Sequence, residues 1–385
     1  EEIMTKTMIN FAFFLLGIIG CTGNQQDKLL VVDVTKSYPK EELTLQDFMD
    51  VEYLALETND EFLVQGNVAA VGEKFLIVTN MRQGDILLFD RVTGKYVRKI
   101  NRKGNGPGEY VLPFNISLNE KENIMYVNDG PSSNIQVYDL EGEYKRTIPY
   151  RKGALVTSLF DFDANHFLSQ DIYAEGNKTF ASTFFLMSKQ NGERMDISVP
   201  FEKRISPVIT KRVGDKMYGS SPRIGFISSY QGNWVLAEPS ADTIYTYRSN
   251  QELCPFIVRT PSVQVMNPEQ FLFPGLLSNR YFFMQVVTKE CDFEKDQEMP
   301  AVDLAYDRQT GKIFQSTVYN GDYEGREEKM SVSALGEDVA FAAKLEAFDL
   351  IEANKDGKLR GRLKEMASKL NSEDNPVIML VKLRK

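Results

Sequence analysis

Along most of the chain, apolar and polar residues alternate in short runs separated by Gly, Asn and Asp. A period of two belongs to half-buried strands, and the separators belong to tight turns. Five segments share one form, a strand, a polar turn and a second strand: "DILLFDRVTGKYVRKI", "NIQVYDLEGEYKRTI", "STFFLMSKQNGERMDISV", "DTIYTYRSNQELCPFIV" and "VDLAYDRQTGKIFQSTV". Their turns start at Asp90, Asp139, Ser188, Arg248 and Asp307, at spacings of 49, 49, 60 and 59 residues. Further strand-like runs precede the hairpins, such as "GNVAAV" and "KFLIVTN" before Asp90. Before Asp307 the corresponding runs are "FLFPGLL" and "RYFFMQVV". Four antiparallel strands at this period match a propeller blade. One such sheet leaves a face uncovered, whereas blades set around an axis cover one another.

The two ends complete the count. "MSVSA" from Met330, "DVAFAA" and "PVIMLVKL" from Pro376 are strand-like, and "VEYLALE" from Val51 has no partner nearby. Val51–Glu57 beside Val377–Leu383 makes a sixth blade from both ends and hides edge strands. The predicted fold is all-β, a six-bladed β-propeller of four-stranded antiparallel blades closed by N- and C-terminal strands. One stretch breaks the period. In "KLEAFDLIEANKDGKLRGRLKEMASKL" the apolar residues recur at helical spacing. It predicts a helical pair with a turn at Asp356-Gly357, inserted in the last blade at about 343–373.

"RKGNGPGEY", from Arg102 to Tyr110, has the glycines of a nucleotide loop. A phosphate cradle needs a strand before it and a helix directly after. The residues that follow, "VLPFNISLNEKENIMYV", alternate and carry Pro113. The segment therefore reads as a corner between two blades, where glycine lets the chain turn sharply and approach its neighbours. The loop "KGNGPGEY", the strand "DVEYLALET" and the ending "DNPVIMLVKL" stand in an order that resembles the six-bladed β-propeller lipoproteins of Bacteroidota. The resemblance runs from about Val31 to Lys385. It implies an envelope lipoprotein and names no reaction.

The leading residues fit that implication. Lys6 precedes the short apolar run "MINFAFFLLGII", and "IIGC" ends at Cys21. The run is short for a membrane span and suits a signal-peptide core. Small Gly20 before Cys21 resembles a lipobox, which implies diacylglycerol on Cys21; the alternative is a plain secretory signal with an incidental cysteine. The expected division is a signal peptide over 1–20, a lipidated tether and leading segment over 21–50, with Thr22–Lys36 as the tether, and the propeller over 51–385.

Composition narrows the chemistry. The 385 residues are 42% apolar and 11% aromatic, enough for a sizeable core. The net charge of −9 and the lack of a basic stripe make nucleic acid a poor partner. One histidine, His166, sits near a tight turn, so a triad would have to use it, and no G-x-S-x-G elbow accompanies it. Zinc sites of several His and Cys ligands lack material. Cys254 and Cys291 stand in or beside strand-like runs, as buried thiols or as one bridge. "EANKDGKLRGRL" mimics a calcium loop, but Leu363 stands where the bidentate Glu belongs. No cofactor is expected.

Connection lengths place a candidate site. Within a blade, the turns joining strands one to two and three to four share one side of the disc and are short here. The other connections are long and share the opposite side, where binding usually lives. Candidate ligand contacts there are Arg102, Lys103, Asn105, Glu109 and Tyr110, followed by Asn80, Arg82, Arg223 and Arg280. The alternative role for Arg102 and Glu109 is to brace the loop, with Tyr110 packed between blades. The expected function is a non-enzymatic binding or scaffold module of the cell envelope. It would be lipid-anchored at the outer membrane and take a glycan, a peptide or an outer-membrane protein. The alternative is a hydrolase or lyase acting on a glycan or lactone, with carboxylates or calcium at the channel mouth.

Overall fold

A computed structural model describes residues 29–384 apart from 155, 173–181, 296–297, 333–334 and 336–337. Position within a blade explains the two hydrophobic patterns. Asp85–Asp90 lies between two other strands and under two neighbouring blades, so Ile86, Leu87, Leu88 and Phe89 are all 0% exposed. Tyr96–Asn101, the outer strand of the same sheet, alternates and fully buries only Ile100. A strand covered on both faces reads as a continuous apolar run, and one facing water reads as an alternation.

Blade one comprises Asn67–Val71, Phe75–Asn80, Asp85–Asp90 and Tyr96–Asn101 in consecutive antiparallel order. Blade two runs from Asn115–Asn119 to Tyr144–Pro149, and blade three from Phe160–Asp161 to Arg194–Ile197. Blade four spans Ile227–Tyr230 to Leu253–Thr260, and blade five Gln270–Leu277 to Lys312–Tyr319. Blade six joins Val339–Leu345, Val377–Leu383 and Met49–Ala55, with Val377 opposite Ala55 and Leu383 opposite Met49. Front and back of the chain thus close the six-bladed β-propeller. The apolar core is divided among the junctions between blades. The cluster of Ile77, Ile86, Tyr110, Met125 and Tyr138 joins blades one and two, and that of Leu54, Leu76, Phe89 and Ile378 joins blades six and one.

The glycines of the outer hairpins act at these junctions. A Cβ on Gly94 would stand 2.1 Å from the Ala55 carbonyl oxygen, and one on Gly192 would stand 2.0 Å from that of Pro149. Each turn presses on the end of the preceding blade's outer strand with positive φ, 72° and 74°. Gly311 of blade five has the same sign of φ, 70°, but open space around it.

The helical insert consists of Ala347–Lys355 and Gly361–Ala367. Gly357 turns the chain with φ +73°, and the Asp356 carboxylate binds Lys358 Nζ at 3.0 Å. Leu350 and Leu363 are 0% exposed in the core shared with blades five and six. The place of a calcium loop's last ligand is therefore filled by a core leucine.

Two expectations are corrected. Leu30–Asp33 is not tether: it pairs parallel with Leu253–Thr260 as a fifth strand of blade four. Val32, at 0% exposed, fixes it there. Lys40–Thr44 likewise adds to blade five beside Lys312–Tyr319. The signal peptide, Cys21 and Thr22–Lys28 lie outside the described residues. The strand expected at Met330–Ala334 is also absent from its described part, 330–332. Blade five captures that segment: the Met330 carbonyl accepts from Leu276 N at 2.8 Å, and Ser331 Oγ donates to Asp303 at 2.7 Å.

Candidate functional site: the central channel

The first strands of blades one to five, with Leu335 and Asp338 ahead of blade six, line a channel of about 2540 Å³. Its long-loop end carries Asn67, Arg82, Phe114, Asn115 and Arg223; its short-turn end carries Glu120, Asp161, Asp163, Lys189, Trp234 and Asn279.

Several acidic groups at the short-turn end, Glu120, Asp161 and Asp163 among them, already have partners. The Glu120 carboxylate of blade two accepts backbone N–H bonds from Glu73 (2.9 Å), Lys74 (3.1 Å) and Phe75 (2.8 Å), which fastens the first turn of blade one. Asp161 pairs with Lys189, whose ammonium also donates to the Asp163 carbonyl at 2.7 Å. That ammonium lies 5.2 Å from the Phe167 ring centre, and Lys189 is only 5% exposed. Burial raises the Asp163 carboxyl, but hydrogen bonds from Asn165 N and from the His166 backbone and ring outweigh it and hold it low. At Glu52 burial is again opposed, by Lys382 and Arg91, and the carboxyl is held low. Both are anions at neutral pH, suited to accepting hydrogen bonds.

The residues anticipated from sequence divide. Tyr110 is 0% exposed. Its hydroxyl donates to the Gly84 carbonyl at 2.8 Å and accepts from Arg102 N at 3.1 Å. Burial pushes the phenol up to about 12. Glu109 accepts from Gly106 N at 2.7 Å, and the Arg102 guanidinium donates to the Gly142 carbonyl at 3.1 Å. Lys103 Nζ donates to the Arg82 carbonyl, and Asn105 is exposed. None of these five lines the channel. Tyr110 and Arg102 brace the junction between blades one and two, Lys103 and Glu109 hold the loop itself, and Asn105 stays in solvent.

Asn80, Arg82 and Arg223 do line the channel. Asn80 is 3% exposed and spent on backbone: it accepts from Gln65 N and Gly66 N at 2.9 Å and donates to the Leu63 carbonyl at 2.8 Å. Arg223 meets Glu298 at 2.6 Å, and Arg82 is exposed on the rim. Arg280 is corrected: it stands in the turn between Gln270–Leu277 and Tyr281–Thr288, on the short-turn face, held by Asp307 at 2.9 Å. A first-to-second-strand turn belongs to that face by the alternation of strand direction. His166 sits in its turn with Nδ1 3.0 Å from Asp163.

Reasoning on loop length passed over Lys189, Asp161, Phe160 and Trp234. Their loops are short, and the only available signal was that Trp234 is the single tryptophan of the chain. Among the described residues, no group of three His, Cys, Asp or Glu side chains is arranged to hold a metal.

Comparison with known proteins adds a family. Residues 29–382 match the domain of unknown function DUF4934. The chain belongs to this family. No curated protein matches it in sequence. A Bacteroides fragilis protein classed as exported is similar in structure, with TM-score 0.64 and 16% identity, covering 92% of this chain and 100% of that one. A member of the DUF4221 family from Bacteroides vulgatus gives TM-score 0.50 and 11% identity, covering 88% and 99%. At these identities the likeness establishes the propeller fold.

Proposed function

We propose that this member of the family is an exported envelope lipoprotein, held by diacylglycerol on Cys21 at the outer membrane, that binds a ligand in its central channel without transforming it. The apolar run before Cys21 supports the anchor. Export is supported by the class of the Bacteroides fragilis relative. No helix among the described residues is long and apolar enough to cross a membrane. The observation that carries the binding reading is a wide channel in which the Glu120, Asp161 and Glu52 carboxylates are engaged by cations or backbone N–H groups. A glycosidase-type pair instead needs one carboxyl raised and opposed to a second.

The test starts from the protein purified out of solubilised membranes, with mass spectrometry of whatever co-elutes. The ligand is expected to be recovered chemically unchanged after prolonged incubation with fresh protein. Its consumption would replace the binding reading with the hydrolase or lyase one. Radiolabelled palmitate should enter the wild-type chain and be lost in Cys21→Ala.

A further inference from the structure

The channel wall is uneven. On the side of blades one and two, near the short-turn end, it presents aliphatic Val71 and Leu118. On the side of blades three and four it presents Phe160, Phe162 and Trp234. Phe160 and Trp234 have ring centroids 5.0 Å apart, and Phe162 stacks on Tyr247 at 5.5 Å. All three channel-lining rings are half-buried, so each leaves aromatic surface toward water. Groups that bond hydroxyls stand among them. Asp161 and Asp163 precede and follow Phe162 in the chain with side chains 46% and 41% exposed. Asn233 adjoins Trp234, and the Gln231 amide reaches Asn279 across the junction with blade five at 3.4 Å.

Apolar surface beside carboxylates and amides suits a ligand that is apolar on its faces and polar on its edge. A pyranose ring is such a molecule. Its C–H face carries slight positive charge and meets the negative face of an aromatic ring. Its equatorial hydroxyls donate to carboxylates and amides. An acidic sugar would meet Asp161 and Asp163 unfavourably, and Lys189 is already held by Asp161 and the Asp163 carbonyl. From this we infer that the short-turn mouth between blades three and four is a subsite for a neutral sugar ring of a glycan, stacked against Phe160 and Trp234 and hydrogen-bonded by Asp161, Asp163 and Asn233. The inference rests on the binding reading above and moves its centre to the face opposite the long loops.

Trp234 reports on the site directly, since its emission is the only tryptophan signal in the molecule. The full chain in detergent micelles is titrated with triacetylchitotriose, cellotriose and mannotriose, and in parallel with alanine and proline tetrapeptides. At least one sugar should shift Trp234 emission saturably. Phe160→Ala should weaken that sugar about tenfold. Asp163→Asn, which keeps an oxygen for the turn N–H bonds, should weaken it about fivefold. Phe348→Ala, on the exposed helical insert, should bind as wild type. A saturable response to a peptide with none to any sugar overturns the sugar inference and leaves the binding reading standing. Silence toward both panels, together with no ligand co-eluting from membranes, overturns both. Sugar binding unchanged in both Phe160→Ala and Asp163→Asn also refutes the proposed subsite.

Discussion

Replacing Tyr110 by phenylalanine removes one oxygen and tests what the glycine-rich loop does. The ring would still fill its place against Tyr138, at 6.1 Å and 90°, so no cavity opens. What is lost is the hydroxyl that links Gly84 O at 2.8 Å with Arg102 N at 3.1 Å. Each hydrogen bond is worth about 1 kcal/mol net, and a buried group left without a partner costs ~1–3 kcal/mol. Gly84 is buried, and its carbonyl would lose this bond. A loss of about 3 kcal/mol is therefore expected in chemical denaturation. Tyr138→Phe, which loses only the bond to Gly108 O at 2.8 Å, should cost about half as much. The phenol adds a pH signature. Its pKa in the fold, about 12, lies above the unfolded value near 10. The corresponding stabilisation is present below pH ~10 and disappears as pH rises toward 12, an effect of about 2.7 kcal/mol. Tyr110→Phe should remove that part of the alkaline loss. A change below ~0.5 kcal/mol at pH 7, within the scatter of surface substitutions, would refute the bracing role.

Other substitutions probe the junctions and the channel. Gly192→Ala should cost ~2–5 kcal/mol in denaturation, combining positive φ with a contact at 2.0 Å, whereas Gly311→Ala should cost ~1–2 kcal/mol for φ alone. Asn80→Ala, which strips three backbone contacts from the segment joining blade six to blade one, should cost ~2–4 kcal/mol by the same measurement. Glu52 and Asp163 are held low in the fold, so their stabilisation is present above the ordinary carboxyl range and lost as pH falls through their lowered values. Lys382→Met should shrink the Glu52 part of that acid loss in a pH series of melts. Deleting residues 30–44 should expose the outer edges of blades four and five and raise light scattering on heating.

Much of the fold was legible because strand period and turn chemistry agree within each blade. The turns at Asp90, Asp139 and Asp307 use an Asp whose carboxylate accepts backbone N–H bonds two to four residues on, a purely local device. The pairing at closure, though not its register, was legible for a different reason: Val51–Glu57 had no neighbour to pair with. Leu30–Asp33 and Lys40–Thr44 escaped notice because each pairs parallel with a strand more than two hundred residues away, and no local pattern records such a partner. The same limit applies to the site. Loop length singled out Arg102 to Tyr110, yet glycine in a long connection serves close approach as well as ligand contact. The channel wall depends on which short turns face one another, as with Phe160 and Trp234, 74 residues apart in sequence and 5.0 Å apart in space.

The leading segment also changes how closure works. In passing from Leu30 to Ala55 the chain contributes an outer strand to blade four, then to blade five, then to blade six. A ring closed at one seam depends on one sheet's hydrogen bonds. Here the N-terminal strap crosses three consecutive blades, so opening the seam at blade six requires separating Met49–Ala55 while its chain neighbours remain tied to blades four and five. Gln46 strengthens that tie, donating to Asn320 Oδ1 at 2.8 Å and accepting from Gly321 N at 2.7 Å, both beyond the outer strand of blade five. Among the described residues blades one to three have no such strap, and their junctions use side chains and turns: Glu120 on the first turn of blade one, Gly192 against Pro149 and the Tyr110 hydroxyl. The strap therefore secures the half of the ring that carries closure and the helical insert. The glycine-rich loop ties blade one to blade two, through Tyr110 on Gly84 and Arg102 on Gly142, and leaves the channel to other residues.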